Sequence, residues 1–307
     1  MTISISKKKS TALDVVIDTD TGNETDDQFA LVYALLAPEI FNIRAIMAAP
    51  FLHYRVNTPG EGMQLSMFEI KRILKFMNRE DIPVWEGVRQ FTTPFPQNAS
   101  SGVKALIEMA ETYTEDQPLT VFSIAALTNM AAVLRTCPDM KKRLRLVWLG
   151  SHSYRQAPNE FNLAQDYLAA VIVFNSGLRK VIFPCRGVAE KLYLDDAEVE
   201  RRLIPCGALG QFLANRFRRM FGETPQPGNS LSIWDIAPFA WRIVPDAVIM
   251  EEEVSHGLCP HSIAWEPGNA RKELVCRELD RDRIFADFFR RLERFHRAQR
   301  DLQPNDF

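Results

Sequence analysis

The chain has 307 residues, of which 46% are hydrophobic and 25% charged, and its formal net charge is -2. These values exclude a highly charged disordered chain, and we expect residues 1–307 to form a single domain whose first residues, 1–12, are flexible. The small net charge argues against nucleic acid or an anionic membrane as a partner, and no apolar run reaches the roughly 18 residues that span a bilayer.

The N-terminus and the cysteines bear on the cellular setting. Three lysines precede the first apolar stretch, with no apolar signal segment before it, so we expect a cytoplasmic protein. The cysteines are scattered and form no CxxC pair, which favours free thiols over a zinc site or a disulfide framework. They are Cys137, Cys185, Cys206, Cys259 and Cys276.

Apolar runs of strand length alternate along the chain with stretches of helical periodicity. The pattern predicts strands over 15–17, 43–48, 119–124, 144–149 and 181–184. It predicts helices over 26–36, 64–77, 102–114, 129–135 and 167–175, loops over 91–101 and 222–232, and a terminal amphipathic helix over 280–295. Strands that alternate with helices indicate an α/β fold, a doubly wound and mostly parallel sheet flanked by helices with a Rossmann-like core.

The segment between the first strand and the first helix is the most informative one. It reads Asp18-Thr-Asp-Thr-Gly-Asn-Glu-Thr-Asp-Asp27, with five carboxylates in ten residues. Asp18 and Asp20 share a face of an extended chain, Gly22 lets the chain turn, and Asp26 and Asp27 begin the helix. Capping of the helix would account for Asp26 and Asp27 but would not explain Asp18 and Asp20. Like charges this close need protons or a cation, and a hard cation such as Ca2+ prefers oxygen ligands, so we predict a metal site.

Four further motifs follow in order along the chain, the first of them after a predicted strand. They are Leu127-Thr-Asn129, Trp148-Leu-Gly150, Glu160-Phe-Asn162 with Asp166 after it, and Asp235 in Ile233-Trp-Asp. With these motifs, the chain resembles a divergent member of the inosine-uridine-preferring nucleoside hydrolase family, whose signature is D-x-D-P-G-x-D-D. Thr21 replaces the proline of that signature, and two additional residues precede Asp26.

The resemblance implies the activity and the metal ligands. Members of the family hydrolyse the N-glycosidic bond of ribonucleosides with Ca2+, releasing ribose and free base for purine or pyrimidine salvage, and they assemble as homodimers or homotetramers. Asp20, Asp27 and Asp235 would bind Ca2+ through carboxylates, and Ile124 through its backbone carbonyl. Asp20 would also be the general base that activates a calcium-bound water.

The resemblance also implies the contacts to the nucleoside. Asp26, Glu160 and Asn162 would hold the ribose hydroxyls. The family's inosine-uridine members have a histidine before the last calcium aspartate, as the acid for the departing base, and Trp234 stands there instead. Trp234 could stack on the base. His53 and His152 follow strand ends, and both are candidates for the missing proton donor.

Three alternatives start from the same acidic run. Asp18-Thr-Asp-Thr21 also fits the nucleophile motif of Mg2+-dependent haloacid-dehalogenase-like phosphatases, with Ser123, Lys141 or Lys142 and Asp195-Asp196 as partners. Such a phosphatase would leave Glu160, Asn162 and Asp235 unexplained. A nucleoside-binding protein that has lost turnover would be consistent with the missing histidine. An EF-hand is excluded, because the twelfth position of the loop is Phe29 and not glutamate.

Overall fold

The computed structural model of the chain describes residues 12–222 and 228–301. The strands are β1 (Leu13–Thr19), β2 (Phe41–Ala48), β3 (Val84–Glu86), β4 (Leu119–Ser123), β5 (Leu144–Leu149), β6 (Arg179–Phe183), β7 (Tyr193–Asp195), β8 (Ser230–Ser232), β9 (Val248–Leu258) and β10 (Trp265–Leu279). The helices are α1 (Asp26–Leu35), α2 (Pro59–Phe76), α3 (Ser101–Ala110), α4 (Thr128–Thr136), α5 (Met140–Arg143), α6 (Phe161–Gln165), α7 (Tyr167–Asn175), α8 (Asp196–Glu198), α9 (Gly207–Arg219), α10 (Ile236–Ile243) and α11 (Arg281–Asp301).

Eight of these strands form the central sheet, in the order β3-β2-β1-β4-β5-β6-β10-β9. All neighbours are parallel except β9, which runs antiparallel to β10. The strand order changes direction on either side of β1, because β2 lies to one side of it and β4 to the other. The predicted mostly parallel α/β fold is therefore confirmed, and the short strands β7 and β8 pair separately.

The central strands of the sheet are buried on both faces, which explains why they are mostly apolar. Successive side chains of a strand point to opposite faces. Val15 and Ile17 accordingly belong to one hydrophobic cluster and Val16 to the other, and all three are fully buried. Helices cover each cluster from outside.

All the predicted helices are present, but three boundaries differ by more than one residue, including the end of α11, which extends to Asp301 and not only to residue 295. Helix α2 begins at Pro59, five residues before the predicted start, because Thr58 caps it by accepting a hydrogen bond from the Glu61 amide at 3.2 Å. Proline suits this first position, where its missing N–H has no partner to lose. Helix α3 ends at Ala110 and does not reach residue 114.

Three further predictions concern segments at the margins. The predicted loop over 91–101 has no helix or strand until α3 begins at Ser101. The end of the predicted loop over 222–232 forms β8, and residues 223–227 lie outside the described residues. The predicted flexible N-terminus also lies outside them, except for Ala12, and the single-domain organisation stays a prediction. All the cysteines are free, as predicted. Within the part of the chain that is described, no helix is long and apolar enough to cross a bilayer.

The long hairpin of β9 and β10 was not predicted from the sequence. Its outer strand carries Glu251, Glu252 and Glu253, which form ion pairs with Lys272 and Arg277 of β10. Charges of this kind protect the exposed edge of a sheet from pairing with other chains, and they also hide the strand from an analysis of apolar periodicity. The hairpin extends the sheet beyond β6 and brings β10 close to the loop that follows β5.

Candidate functional site

A cavity of about 570 Å3 opens at the carboxyl edge of the parallel strands. This is where α/β sheets bind ligands, because the loops that leave successive strands converge there. Its lining comes from the segments after β1, β4, β5 and β6 and from the start of α10. The lining residues are Asp20, Asn23, Glu24, Asp26, Asp27, Ile124, Leu149, His152, Asn159, Glu160, Phe161, Asn162, Ala164, Cys185, Arg186, Trp234 and Asp235.

The carboxylates of Asp20, Asp26, Asp27 and Asp235 form an acidic cluster at one end of this cavity. Carboxylate oxygens of Asp26, Asp27 and Asp235 lie within 4.8 Å of one another. All four side chains are buried, and none forms an ion pair with lysine or arginine in the described ranges. Burial, followed by repulsion between the cluster's own members, raises the pKa of Asp20, Asp27 and Asp235 well above the usual value. The pKa of Asp26 rises to about 7, first through burial and then through Glu24.

The donor set of the acidic cluster fits a hard divalent cation. Its atoms are oxygens, which Ca2+ prefers, and its negative charge has no protein partner. Asn23 provides a second indication that the site fits a cation. Its Oδ1 is buried without a hydrogen-bond partner, while its Nδ2 donates to Asp20 Oδ2 at 3.1 Å. The Thr19 hydroxyl donates to Asp27 Oδ1 at 2.5 Å, which fixes one oxygen of that carboxylate. A cation could therefore replace the protons that the raised pKa values imply.

Asp18 does not line the cavity and instead ties three elements together beneath it. One of its oxygens accepts a hydrogen bond from Ser123 Oγ at 3.0 Å, and the other accepts one from Asn129 Nδ2 at 2.8 Å. Burial raises its pKa to about 6, although these two hydrogen bonds oppose the shift. Asp18 thus joins β1 to the end of β4 and the start of α4, and supports the neighbouring Asp20.

The role of Gly22 differs from the one that the sequence suggested. The chain turns here as expected, since the Asn23 amide donates to the Asp20 carbonyl at 2.7 Å, but the Gly22 backbone is not in the left-handed region, so the turn itself does not require glycine. A Cβ at this position would lie 2.8 Å from Leu65 Cβ and 2.9 Å from the backbone nitrogen of Ser66. Close packing of the acidic loop against α2 therefore requires glycine.

Glu160 and Asn162 line the same cavity from the start of α6. Glu160 caps this helix, and its two carboxylate oxygens accept hydrogen bonds from the amides of Ser151, Asn162 and Leu163 at 2.7, 2.9 and 3.2 Å. Burial raises the pKa of Glu160, and the hydrogen bonds from the three backbone amides oppose this rise. Ser151 has φ of 62°, an unusual value for a residue other than glycine, and this conformation is the one in which its N–H reaches Glu160.

His152 lies beside Arg186 and is the histidine that lines the cavity. The Arg186 backbone amide donates to His152 Nδ1 at 3.4 Å, and on this contact we assign the proton of the neutral ring to Nε2. Burial lowers the pKa of His152, and the positive charge of Arg186 lowers it further. His152 can therefore donate a hydrogen bond from Nε2 at neutral pH.

The other predicted residues fall into two groups. Ile124, directly after β4, and Trp234, directly before Asp235, both line the cavity. His53 is half-buried, does not line the cavity, and packs against the Tyr54 ring with centroids 4.3 Å apart. The structure thus brings all the predicted site residues together except His53.

Of the partners named for the alternative phosphatase site, Ser123 does contact Asp18, but the lysines and Asp196 are dispersed. Lys141 and Lys142 lie on α5 before β5, which is the amino edge of the sheet, whereas the Asp18 carboxylate lies at the carboxyl edge. Asp196 instead pairs with Arg218 at 2.7 Å. The Asp18 oxygens are also both occupied by hydrogen bonds, so this aspartate is poorly placed to act as a nucleophile.

Sequence reasoning missed several lining residues, of which Glu24 and Arg186 carry charge. Arg186, Cys185 and the preceding Pro184 follow the end of β6, and the rule that ligands bind beyond strand ends would have found them. Glu24 lies within the acidic run itself. No sequence signal distinguishes Asn159 or Phe161 from other loop residues.

Comparisons with known proteins agree with this geometry. The sequence model described as inosine-uridine preferring nucleoside hydrolase matches residues 15–286. The pyrimidine-specific ribonucleoside hydrolase RihA of Salmonella paratyphi A is 30% identical over 264 residues, which are 76% of this chain and 81% of that protein. Among solved structures, the purine-preferring ribonucleoside hydrolase from Gardnerella vaginalis has a TM-score of 0.69 at 19% identity, covering 93% of this chain and 99% of its own. The inosine-uridine preferring nucleoside hydrolase from Bacillus anthracis has a TM-score of 0.70 at 15% identity, covering 92% and 99%.

Proposed function

Because this chain belongs to the inosine-uridine preferring nucleoside hydrolase family, we propose that it hydrolyses the N-glycosidic bond of ribonucleosides with Ca2+ bound at the acidic cluster. The chain is accordingly a nucleoside N-ribohydrolase. The observation that carries the calcium proposal is the group of buried, unpaired carboxylates at the carboxyl edge of the sheet. Asp20, Asp27 and Asp235 would hold the ion, with the main-chain oxygen of Ile124.

The bound ion would orient the ribose hydroxyls and the attacking water and would make that water more acidic. Asp20 lies in the acidic cluster, and with the ion bound its carboxylate would be charged and could accept the proton that the water loses. Cleavage of an N-glycosidic bond passes through a state in which the ribose carries positive charge. The carboxylates that surround the cavity would stabilise this charge as it develops.

The sugar would lie between the acidic cluster and Glu160. Asp26 would accept a hydrogen bond from a ribose hydroxyl, and Glu160 and Asn162 would bind others from the start of α6. The backbone donors that fix Glu160 keep its carboxylate in one orientation before substrate arrives. Preorganisation of this kind lowers the cost of binding the sugar in its reactive position.

The departing base would contact Trp234 and His152. Trp234 offers an aromatic face next to Asp235, on which a base can stack. His152 would donate a hydrogen bond from Nε2 to the base as its bond to the sugar breaks. A donor other than the residue before Asp235 is thus available in the cavity, which favours turnover over binding alone. RihA is named for pyrimidines and the Gardnerella vaginalis hydrolase for purines, so we propose ribonucleosides as the substrate class without choosing a base.

The test is a panel of purine and pyrimidine ribosides and deoxyribosides, assayed for free base with Ca2+ and after chelation. We expect release from ribosides with Ca2+, and loss of activity in Asp20→Ala and Asp27→Ala, while the exposed control Asp81→Ala retains it. Full activity after chelation, or in either cluster variant, would contradict the calcium proposal. Equal rates for deoxyribosides would contradict the contact of Asp26 with the 2′-hydroxyl.

Two further proposals concern the setting of the enzyme. We propose that it acts in the cytoplasm in nucleoside salvage and assembles as a homodimer or homotetramer, as the resemblance implies. Light scattering on the purified protein tests the assembly. A monomer at micromolar concentration would contradict it.

A further inference from the structure

We propose that Tyr154 is a positioning residue for the active site, because its hydroxyl fixes the loop that carries His152 to the β9–β10 hairpin. The loop runs from Ser151 to Asn159 between β5 and α6, and both His152 and Asn159 line the cavity. This inference rests on the proposed function for its effect on catalysis, but the contact itself can be tested without any activity.

The loop contains no helix or strand that would hold it in place. Internally, the Ser151 hydroxyl donates to the Pro158 carbonyl at 3.3 Å, and the Gln156 amide donates to the Ser153 carbonyl at 2.9 Å. At its base, the end of β6 holds it, because the Cys185 amide donates to the Ser151 carbonyl at 3.0 Å. A loop of this kind needs contacts at its centre to keep His152 in one position.

Two side-chain hydrogen bonds supply these central contacts, and both lead to β10. The Tyr154 hydroxyl donates to Glu273 Oε1, and Trp265 Nε1 donates to the Gln156 carbonyl at 2.9 Å. The Tyr154 ring also packs against one aromatic side chain from each strand of the hairpin. It stacks on His256 of β9 with centroids 4.2 Å apart, and its centroid lies 4.7 Å from that of Trp265 in an edge-on arrangement.

Glu273 is itself held rigidly, so the hydroxyl bond connects the loop to the sheet. Its Oε2 lies 3.2 Å from Lys180 Nζ on β6, with the two side chains only 3% and 1% exposed. Lys180 Nζ also lies 3.4 Å from Ser255 Oγ on β9. We call Tyr154, Glu273 and Lys180 the loop anchor. Both carboxylate oxygens of Glu273 therefore have a partner, Oε1 the Tyr154 hydroxyl and Oε2 the Lys180 ammonium. Buried ion pairs are tolerated when further hydrogen bonds of this kind support them.

The loop anchor reaches the same strand that orients His152. Lys180 lies within β6, and Arg186, just past the end of β6, donates its amide to His152 Nδ1. The loop is therefore fixed to β6 at its base and, through Tyr154 and Glu273, at its centre. This double attachment gives His152 a defined position relative to the departing base.

Tyr154→Phe tests this inference, because it keeps the ring contacts and removes only the hydroxyl. The matched control is Tyr113→Phe, whose hydroxyl donates to Asp14 Oδ2 at 2.6 Å at the amino edge of the sheet, away from the cavity. In Tyr154→Phe we expect amide hydrogen exchange within residues 151–159 to quicken by roughly tenfold or more, since a bond to a carboxylate is lost. In the control, exchange in these residues stays unchanged.

The catalytic readout separates positioning from general destabilisation. With a ribonucleoside that the wild type cleaves, Tyr154→Phe should lower kcat by about tenfold and leave KM within about twofold, because alignment in the transition state suffers more than binding. Calcium affinity should not change. Unaltered exchange in residues 151–159 would overturn the inference, and so would an equal fall of kcat in both variants. If the wild type cleaves no ribonucleoside, the proposed function fails, whereas the exchange experiment still decides the role of Tyr154.

Discussion

Replacing Asp27 with asparagine should stabilise the metal-free protein and abolish most of its stabilisation by Ca2+. Asparagine has the same shape and keeps the oxygen that accepts the hydrogen bond from Thr19. Asp27 lies within 4.8 Å of two other carboxylates, Asp26 and Asp235. At an effective dielectric constant of about 20, each such pair repels with about 3 kcal/mol when both members are charged. Protonation relieves part of this repulsion, as the raised pKa values indicate, so we expect a gain of roughly 1–3 kcal/mol on replacement.

Calcium should stabilise the wild type more than the variant. A ligand that binds only the folded state at about 1,000 times its Kd stabilises it by about 4 kcal/mol. For a chain of this length, that corresponds to a rise in Tm of roughly 6 °C. Asp27→Asn removes one charged ligand, so its Tm should rise by less than half as much at the same calcium concentration.

Thermal unfolding with a chelator and with saturating Ca2+ provides the measurement. The control is Asp287→Asn, since Asp287 is also buried but is paired with Arg290 and Arg291. Loss of this paired charge should destabilise the protein by roughly 2–3 kcal/mol whether or not Ca2+ is present. The reasoning is refuted if Asp27→Asn destabilises the chelated protein as Asp287→Asn does, or if it responds to Ca2+ as strongly as the wild type.

Four further substitutions test other parts of the site. Glu160→Gln should lower kcat/KM by about 100-fold with unchanged calcium affinity, because a charged acceptor for ribose is lost; weakened calcium binding would argue against this separation. His152→Ala should slow release of a natural base by about 100-fold but leave a p-nitrophenyl riboside, whose leaving group needs no proton, nearly unaffected. His53→Ala should change neither rate, and a selective loss there would transfer the donor role to His53. Gly22→Ala should destabilise the protein by about 1–3 kcal/mol in urea unfolding, since the new Cβ would overlap Leu65, and an unchanged midpoint would contradict the packing argument.

The central strands and their helices were predictable because burial on both faces makes them apolar throughout. Helix α7, for example, has the predicted bounds, and β5 agrees residue for residue with its apolar run. The β9–β10 hairpin could not be found in this way. Its outer strand owes its position to pairing with β10 and to ion pairs across the hairpin, and these are contacts between distant parts of the chain that local periodicity does not record.

The predictability of the site follows the same division. Asp20, Asp27 and Asp235 could be proposed as neighbours because each lies next to a recognisable motif, and the carboxyl edge of the sheet brings such motifs together. Tyr154 had no such signal, since its partner Glu273 lies 119 residues away in the unpredicted hairpin. Gly22 was recognised as significant for the wrong physical reason, because the position of Leu65 against the acidic loop depends on how α2 packs.

The two ends of the cavity are held by different parts of the sheet. The acidic cluster depends on β1, the start of α1 and the start of α10, with Asp18 joining β1 to β4 beneath it. His152 and Glu160 depend on the loop after β5, which β6 and β10 hold in place. Within the described residues, no hydrogen bond joins the loop anchor to the acidic cluster. Under the proposed function, the donor for the base would therefore come from the part of the site that the loop anchor holds, and the residue before Asp235, here Trp234, need not supply it.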